Sequence, residues 1–167
     1  MEQNCLEQIL NDVVRVDLVP SDLCDLAVPF SVSGLTTMAG TKQQGGQTVD
    51  RIGAAALSLA YSVQDGDDGE IDSAPVLKQS EKQQAAGYVV THDLQVPVSA
   101  FFQATREAVA ALQGKDFHAV LTTGDGVRYL CYSVPNASSV TLEEQGVNSS
   151  STVRVQLQSM SHVIELT

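Results

Sequence analysis

The chain has 167 residues, of which 20 are Asp or Glu and 9 are Lys or Arg, giving a formal net charge of −11. Phosphate backbones and anionic lipids attract basic surfaces, so this charge disfavours binding of nucleic acid by charge and docking on a membrane. The length and the 43% hydrophobic content suit one globular domain with its own core. We expect a single domain over residues 1–167.

The N-terminal segment, MEQNCLEQILNDVV, has no basic stretch followed by an apolar run, so it does not predict a signal peptide. No segment approaches the roughly 20 apolar residues of a spanning helix. Cys5, Cys24 and Cys131 are odd in number and lack a CxxC spacing. These features predict reduced thiols in a cytoplasmic protein.

The first third of the chain predicts two strands separated by an irregular segment. Apolar and polar residues alternate over 14–18, which indicates a strand that stops near Pro20. Residues 31–50 are rich in Gly, Thr, Ser and Gln, which predicts a long loop or an irregular strand pair. Residues 57–63 alternate again and favour a strand, with a helix over 50–60 as the alternative.

The middle of the chain combines an irregular segment with a well-patterned strand. Residues 65–86 are acidic and then rich in amides, which predicts a second irregular loop. Residues 88–96 alternate cleanly and predict a strand with His92 on its apolar face, ended by Pro97.

One helix is predicted over about residues 99–113. Ser99 is a candidate N-cap, and Gly114 suits the left-handed position that ends a helix. The small and apolar residues that form a wide stripe along this helix are Phe101, Phe102, Ala104, Ala108, Val109, Ala111 and Leu112. The stripe predicts packing against a sheet, with part of it as a possible subunit contact.

The remaining segments predict more strands. Residues 117–121 and 127–131 alternate around Gly124-Asp125-Gly126, which predicts a hairpin with a primed turn and positive φ at both central positions. A loop is expected from Pro135 to Gly146. Two closing strands then follow, either as a tight hairpin or as one bulged strand. The predicted fold is α+β, mainly antiparallel β in a sandwich or partly open barrel, with one helix.

The acidic run from Asp65 to Asp72 suggests a calcium loop, because Ca²⁺ prefers oxygen ligands at alternating positions. The EF-hand pattern fails, since its required glycine would fall on Glu70 and its bidentate Glu on Val76. We therefore favour a solvated acidic loop over a weak cation site.

The histidines His92, His118 and His162 lie on predicted strands without partners at ligand spacing, which favours structural histidines over a metal site. No nucleophile elbow, reactive-cysteine signature or phosphate-binding glycine loop occurs. We predict no catalytic, cofactor-binding or metal residues and no enzyme activity; a hydrolase of unrecognised type is the least favoured alternative. Tyr129 and Tyr132 offer stacking surfaces, but Arg128 and Arg154 do not suffice for a nucleic-acid groove.

Several motifs in the second half of the chain follow an order of strand, helix, hairpin and closing strands: RExxxALxGKDF ending at Phe117, GDGVRYL from Gly124, and SMSHVI from Ser159. With VDLVPSDL near the N-terminus, this order resembles small structural proteins of the tail and neck modules of prophages in gut Bacteroidetes. The resemblance implies a tail- or neck-associated component without catalytic residues, built on a β-sandwich with a helix that forms rings in phage tail tubes.

We therefore expect a non-enzymatic structural or assembly protein of a phage-like particle. It would act as a homo-oligomer or through contacts with other particle proteins, and would reside in the cytoplasm or in the virion. The alternative is a small-ligand or glycan-binding β-module, with Tyr129, Tyr132 and the loop from Asp65 to Asp72 near its site.

Overall fold

A computed structural model describes residues 13–25, 36–61, 67–84, 87–99, 103–144, 151–159 and 163–166. The strands in this part of the chain are β1 (Val13–Pro20), β2 (Thr36–Met38), β3 (Thr41–Gln44), β4 (Gln47–Asp50), β5 (Leu57–Ala60), β6 (Gly69–Ile71), β7 (Val76–Gln84), β8 (Gly87–Ser99), β9 (Phe117–Thr123), β10 (Arg128–Cys131), β11 (Ser139–Glu144), β12 (Ser151–Ser159) and β13 (Ile164–Leu166). The helix α1 spans Gln103–Leu112, and a 3-10 turn spans Ser21–Leu23.

Eleven of these strands form one open, mostly antiparallel sheet, and β3 and β4 form a separate hairpin. The strands β11, β12, β8 and β7 form a four-stranded antiparallel part, which we call the front leaf. The strands β5, β1, β9, β10, β13 and β2 follow one another in the rest of the sheet, which we call the back leaf. The predicted α+β class, with mainly antiparallel strands and a single helix, agrees with this arrangement.

The long strand β8 joins the two leaves. One of its edges pairs with β12 from Val90 to Val98. Its other edge pairs with β7 up to Gln95 and then with β6 at Val98 and Ser99, and β6 continues to β5. A single strand thus belongs to the front leaf and also leads the sheet into the back leaf.

The helix α1 packs against β11 of the front leaf and β5 of the back leaf, so it contacts both leaves. From Thr105 to Leu112, the buried residues of the helix are Thr105, Val109 and Leu112, whereas the predicted stripe member Ala111 is exposed. The main core contains buried side chains from both leaves and the helix, including Leu18, Leu59, Leu94, Val109, Leu121 and Val155. Each such side chain contributes about 1.5–3 kcal/mol of burial free energy.

A second core lies on the opposite face of the back leaf. Its buried members are Val19, Met38, Ile52, Val120, Leu130, Tyr132, Ile164 and Leu166. The strand β9 contributes alternate residues to both cores, and its first five residues are all buried. The back leaf is therefore covered on both faces around β9, whereas β12 of the front leaf alternates between buried and more exposed residues.

Several sequence predictions are confirmed. The strand predicted over 14–18 is present as β1, and the helix alternative over 50–60 is not formed. The strand predicted over 57–63 is present as β5 but ends at Ala60, and Tyr61 is exposed. On the predicted apolar face of β8, Val90, His92, Leu94 and Val96 are buried. The helix ends before Gly114, which has φ of +76°, and residues 41–50 form the strand pair that was one of two expectations for that segment.

The predicted apolar face of β1 is wrong at one position. Val14 is 36% exposed, whereas Val13 is buried like Val16 and Leu18. The pairing of β1 with β9 shifts register between Val13 and Arg15, so Val14 is an extra residue in a β-bulge. The bulge reverses the alternation and turns Val14 away from the core.

The irregular loop predicted over 65–86 is wrong for most of its length. Residues 69–71 form β6 and residues 76–84 form β7, which is paired with β8 along all nine of its positions. Its sequence, VLKQSEKQQ, lacks a strand pattern because only its first two residues are apolar. The main-chain pairing with β8 specifies this strand more than its side chains do.

The extent of β8 also differs from the prediction, since the strand continues through Pro97 to Ser99. Pro97 lies where one edge of β8 changes partner from β7 to β6, and its carbonyl accepts from the Asp72 N–H. A proline is tolerated at a place where its missing N–H is not needed by a ladder. Ser99 therefore belongs to a strand, and the residues between it and α1 lie outside the described residues.

The central hairpin is confirmed, but its turn is of another kind. Only Gly126 has positive φ in this turn, at +89°. The Gly126 N–H donates to the Thr123 carbonyl and the Thr123 N–H donates to the Val127 carbonyl. This pattern is a three-residue loop with glycine in the left-handed position, rather than a two-residue primed turn.

The C-terminal segments differ from the prediction in two places. Residues 139–144, expected in a loop, form β11, which pairs with β12. The closing strands β12 and β13 are neither a hairpin nor one strand, since β12 pairs with β8 and β11 whereas β13 pairs with β10 and β2. The two strands therefore belong to different leaves.

Candidate functional site

Two acids of the segment considered for calcium, Asp67 and Asp68, are bonded to the protein itself. The Asp67 carboxylate, 1% exposed, lies 2.8 Å from the Arg15 guanidinium. The Asp68 carboxylate accepts from the Ser58 N–H at 3.0 Å, and the Asp68 N–H donates to the Ser58 carbonyl at 2.7 Å. Asp65 lies outside the described residues.

The same network extends to β1 and to the helix. Arg15 Nε donates to both carboxylate oxygens of Asp17 at 3.2 Å, and the Ser58 hydroxyl donates to Asp17 at 2.7 Å. The Thr105 hydroxyl donates to the Asp68 carbonyl. Burial lowers the pKa of Arg15, but the charges of Asp17 and Asp67 outweigh this effect and raise it above its ordinary value. These contacts fasten β1, β5 and α1 together.

Metal binding finds no support in this part of the molecule. Among the described residues, no group of three or more His, Cys, Asp or Glu side chains is arranged to hold a metal ion. The carboxylates of Asp67 and Asp68 are already used by Arg15 and Ser58, so their geometry serves the fold.

Two histidines are buried and hydrogen-bonded, as the structural interpretation predicts. His92 Nε2 lies 2.8 Å from the Ser159 hydroxyl, and both residues are at most 2% exposed. A serine and a histidine at this distance have the spacing of a nucleophile and its base. Their burial keeps substrate away from both, so the pair is part of the core. His162 lies outside the described residues.

His118 is neutral at ordinary pH. Its Nδ1 accepts from the Ser133 N–H at 2.9 Å, and its ring lies 6.4 Å from that of Tyr132, between centroids. Burial lowers its pKa to about 4, against a smaller opposing effect of the Asp116 charge. A protonated ring would lose the acceptor that Ser133 uses.

The residues proposed for a ligand site do not come together. Tyr129 packs against the main core and Tyr132 is buried in the second core, so the two rings lie on opposite sides of the back leaf. Asp67 and Asp68 belong to the network around Arg15. The described residues therefore give no support for the small-ligand alternative.

The two arginines considered for nucleic acid are paired with acids. Arg128 donates to both carboxylate oxygens of Asp50 at 3.2 and 3.3 Å. Arg154 donates to both oxygens of Asp93 at 3.3 and 3.0 Å and lies 3.9 Å from Glu143. The hydrogen bonds from Arg154 to Asp93 raise the pKa of the arginine. Neither arginine contributes to a basic groove.

Free cysteines are present at the two described positions, Cys24 and Cys131, in agreement with the prediction of thiols. Burial raises the pKa of Cys24 to about 11 and that of Cys131 to about 12. Both side chains are therefore protonated at neutral pH, and a protonated thiol is a poor nucleophile and metal ligand. Cys5 lies outside the described residues.

The most distinctive surface is the front leaf and its two outer edges. No described strand pairs with the outer edge of β7 or of β11, although both strands belong to the same four-stranded leaf. The Gln113 side chain donates to the Val140 carbonyl at 2.7 Å, so the end of α1 covers the start of β11. From Thr141 to Glu144, no described strand pairs with that edge of β11.

The outer face of the front leaf carries charges on each of its four strands. Lys78 of β7 lies opposite Asp93 of β8 in the strand register. Asp93 bonds to Arg154 of β12, which lies near Glu143 of β11. Only the strand register places these four residues side by side, so local sequence patterns do not reveal their arrangement.

Comparisons of the chain with protein-family models, with curated proteins and with solved structures found no match. Among the described residues, no helix has the length and apolar character needed to cross a membrane.

Proposed function

We propose that this protein is a non-enzymatic structural or assembly component that acts through protein–protein contacts, of the kind found in the tail or neck of a phage-like particle. The observation that carries the assembly role is the pair of open strand edges on the front leaf. The assignment to a phage-like particle is supported by the sequence motifs that end at Phe117, Leu130 and Ile164.

An open strand edge has main-chain N–H and C=O groups that can pair with another chain. Monomeric proteins keep such edges short, cover them or place charges on them. Here β7 is nine residues long and is paired with β8 throughout, which holds its backbone extended for a further strand. Its charged side chains, Lys78, Glu81 and Lys82, are of the kind that monomeric proteins use to block such an edge. The oligomeric state of the protein therefore decides whether this edge pairs.

The proposed absence of enzyme activity is supported by the burial and protonation of the reactive side chains that the structure describes. His92 and Ser159 are buried together, and His118 is a buried acceptor for a backbone N–H. Cys131 is fully buried and protonated at neutral pH. None of these groups combines exposure with the activation that a nucleophile or general base requires.

The charge of the chain agrees with a role inside a particle that holds DNA. With a net charge of −11, the surface repels a phosphate backbone. A lumen lined by such a protein would let DNA pass without retaining it. We place the protein in the cytoplasm before assembly and in the particle afterwards.

Light scattering coupled to size exclusion, over micromolar to millimolar protein, tests this function. We expect the mass to rise with concentration toward a ring or a growing polymer. The same measurement on a mixture with the products of neighbouring genes tests assembly with a partner. A strict monomer both alone and in that mixture would contradict the proposal.

A further inference from the structure

The charges on the outer face of the front leaf alternate in sign from one edge to the other. Lys78, Asp93, Arg154 and Glu143 follow one another on β7, β8, β12 and β11, one residue on each strand. Direct and diagonal neighbours in the register share a face of the sheet, which places all four on the same side. We call this set the charge row.

The charge row ends with opposite signs at the two open edges. The β7 end carries Lys78, which is exposed, and the β11 end carries Glu143, whose side chain is 56% exposed. Lys82, also exposed, adds a second positive charge to the β7 strand, and Glu144 follows Glu143 on β11. In a chain of net charge −11, a strand with two lysines and one acid is locally unusual.

The strand directions of the front leaf also suit a joint between its two edges. Each neighbouring pair in the order β7, β8, β12 and β11 is antiparallel. Because the number of strands is even, β11 of one copy runs antiparallel to β7 of a second copy placed beside it in the same orientation. The antiparallel alternation of the leaf then continues without interruption across the joint.

We propose that copies of this chain associate head to tail, with the outer edge of β11 in one copy pairing with the outer edge of β7 in the next. The charge row then continues across the joint, because Glu143 of one copy meets Lys78 of the following copy. The contact is heterologous, so it produces a closed ring or an open filament according to the rotation between copies. This inference rests on the proposed function and specifies its contact.

Pairing of like edges is disfavoured by the same charges. Two β11 edges would bring Glu143 against its own copy, and two β7 edges would bring Lys78 and Lys82 together. Like charges placed opposite each other across strands are destabilising. The surface therefore favours one ordered contact over two symmetric ones, and the partner it fits is a second copy of this chain.

Variants that reverse the charge at one end of the charge row test the joint between copies. We expect Lys78→Glu alone and Glu143→Lys alone each to weaken self-association by about tenfold or more, because each brings like charges together. A 1:1 mixture of the two variants should associate nearly as strongly as the wild type. In that mixture, each reversed edge finds an edge of opposite charge on the other variant.

Two control variants separate this local effect from the change in net charge. Lys115→Glu gives the same net charge as Lys78→Glu, and Asp22→Lys the same as Glu143→Lys, at exposed positions outside the front leaf. Sedimentation velocity at about 0.15 M salt, where repulsion between whole copies is screened, should show near-wild-type association for both controls. Thermal unfolding checks that all four variants are folded.

The outcomes distinguish this inference from the proposed function. If the wild type and Glu143→Lys self-associate equally well, the head-to-tail joint is wrong. The proposed assembly role would still stand in that case. Failure of the mixture to recover would also contradict the joint. A wild type that stays monomeric alone and with neighbouring gene products would count against both.

Discussion

The buried carboxylate of Asp67 forms an ion pair with Arg15. Its carboxylate is 1% exposed, whereas the side chain of its partner Arg15 is 34% exposed. A buried carboxylate is costly unless a cation and hydrogen bonds compensate it. Arg15 reaches Asp67 from β1 while also binding Asp17, so one side chain neutralises two acids. The acidic run is thus partly a structural feature of the fold.

Replacement of Arg15 should therefore be strongly destabilising. We expect Arg15→Met to lower the free energy of unfolding by about 3 kcal/mol, because it removes the guanidinium that lies 2.8 Å from the buried Asp67 carboxylate. Adding Asp67→Asn to that variant should recover part of the loss by removing the buried charge. Urea unfolding of the two single variants and the double variant measures the coupling. A loss within error of zero for Arg15→Met would contradict this role.

His118 predicts a pH dependence of stability with a defined sign. Its pKa is about 4 in the folded protein and 6.5 in the unfolded chain. The contribution of the neutral ring is complete above pH 6.5. It falls as the pH drops toward 4, because the unfolded chain binds a proton that the folded protein does not. The shift corresponds to about 2 to 3 kcal/mol between pH 7 and pH 4.5.

His118→Asn isolates this contribution from the titration of the carboxylates. Asn can still accept from the Ser133 N–H but does not titrate. Unfolding by urea at several pH values should show a steeper loss of stability in the wild type than in the variant between pH 6.5 and 4.5. Parallel curves would show that His118 has an ordinary pKa in the folded protein.

At the scale of elements, the turn between β9 and β10 depends on one glycine. Gly126 has φ of +89°, a conformation that costs other residues about 1 kcal/mol or more. We expect Gly126→Ala to lower the melting temperature by about 2–4 °C, the shift that 1 kcal/mol causes in a domain of this size. Gly124→Ala is the matched control, since Gly124 lies in the same turn without positive φ. Equal melting temperatures for the two variants would contradict this account.

The elements that the sequence predicts well are those whose side chains carry the pattern. The buried faces of β8 and β12 alternate with polar positions, and the hairpin of β9 and β10 has turn residues at its centre. By contrast, β7 and much of β11 are polar, and their pairing with β8 and β12 determines them. Tertiary pairing can override weak local preference in such strands.

The individual charged residues of the charge row can be read from the sequence, but their arrangement cannot, because it depends on how the strands pair. Asp93 and Arg154 are 61 positions apart in the chain, and only the register of β8 with β12 brings them together. A shift of one residue in either strand would move one of them to the other face of the sheet. The charge row is thus a property of the folded leaf that local periodicity does not reveal.

At the scale of the whole molecule, the two leaves have different surroundings. Around β9, the back leaf is covered by a core on each face, whereas the front leaf has one face toward the main core and its charge row on the other. Among the described strands, β11 and β7 are the edge strands of the front leaf, and β2 is the edge strand of the back leaf. The β2 edge is three residues long, whereas β7 is nine residues long, so the longest of these edges belongs to the leaf that carries the charge row.

The net charge of −11 makes the salt dependence of association a test at this scale. At about 0.01 M salt the Debye length is roughly 30 Å, so whole copies repel one another. At about 0.15 M it is roughly 8 Å, which screens that repulsion more than the contact between Lys78 and Glu143. We expect sedimentation velocity to show stronger association at 0.15 M than at 0.01 M. Lys115→Glu makes the net charge more negative, so its association should increase more steeply between these two salt concentrations. Association that weakens steadily from the lowest salt would instead mean that attraction between charges outweighs the repulsion between copies.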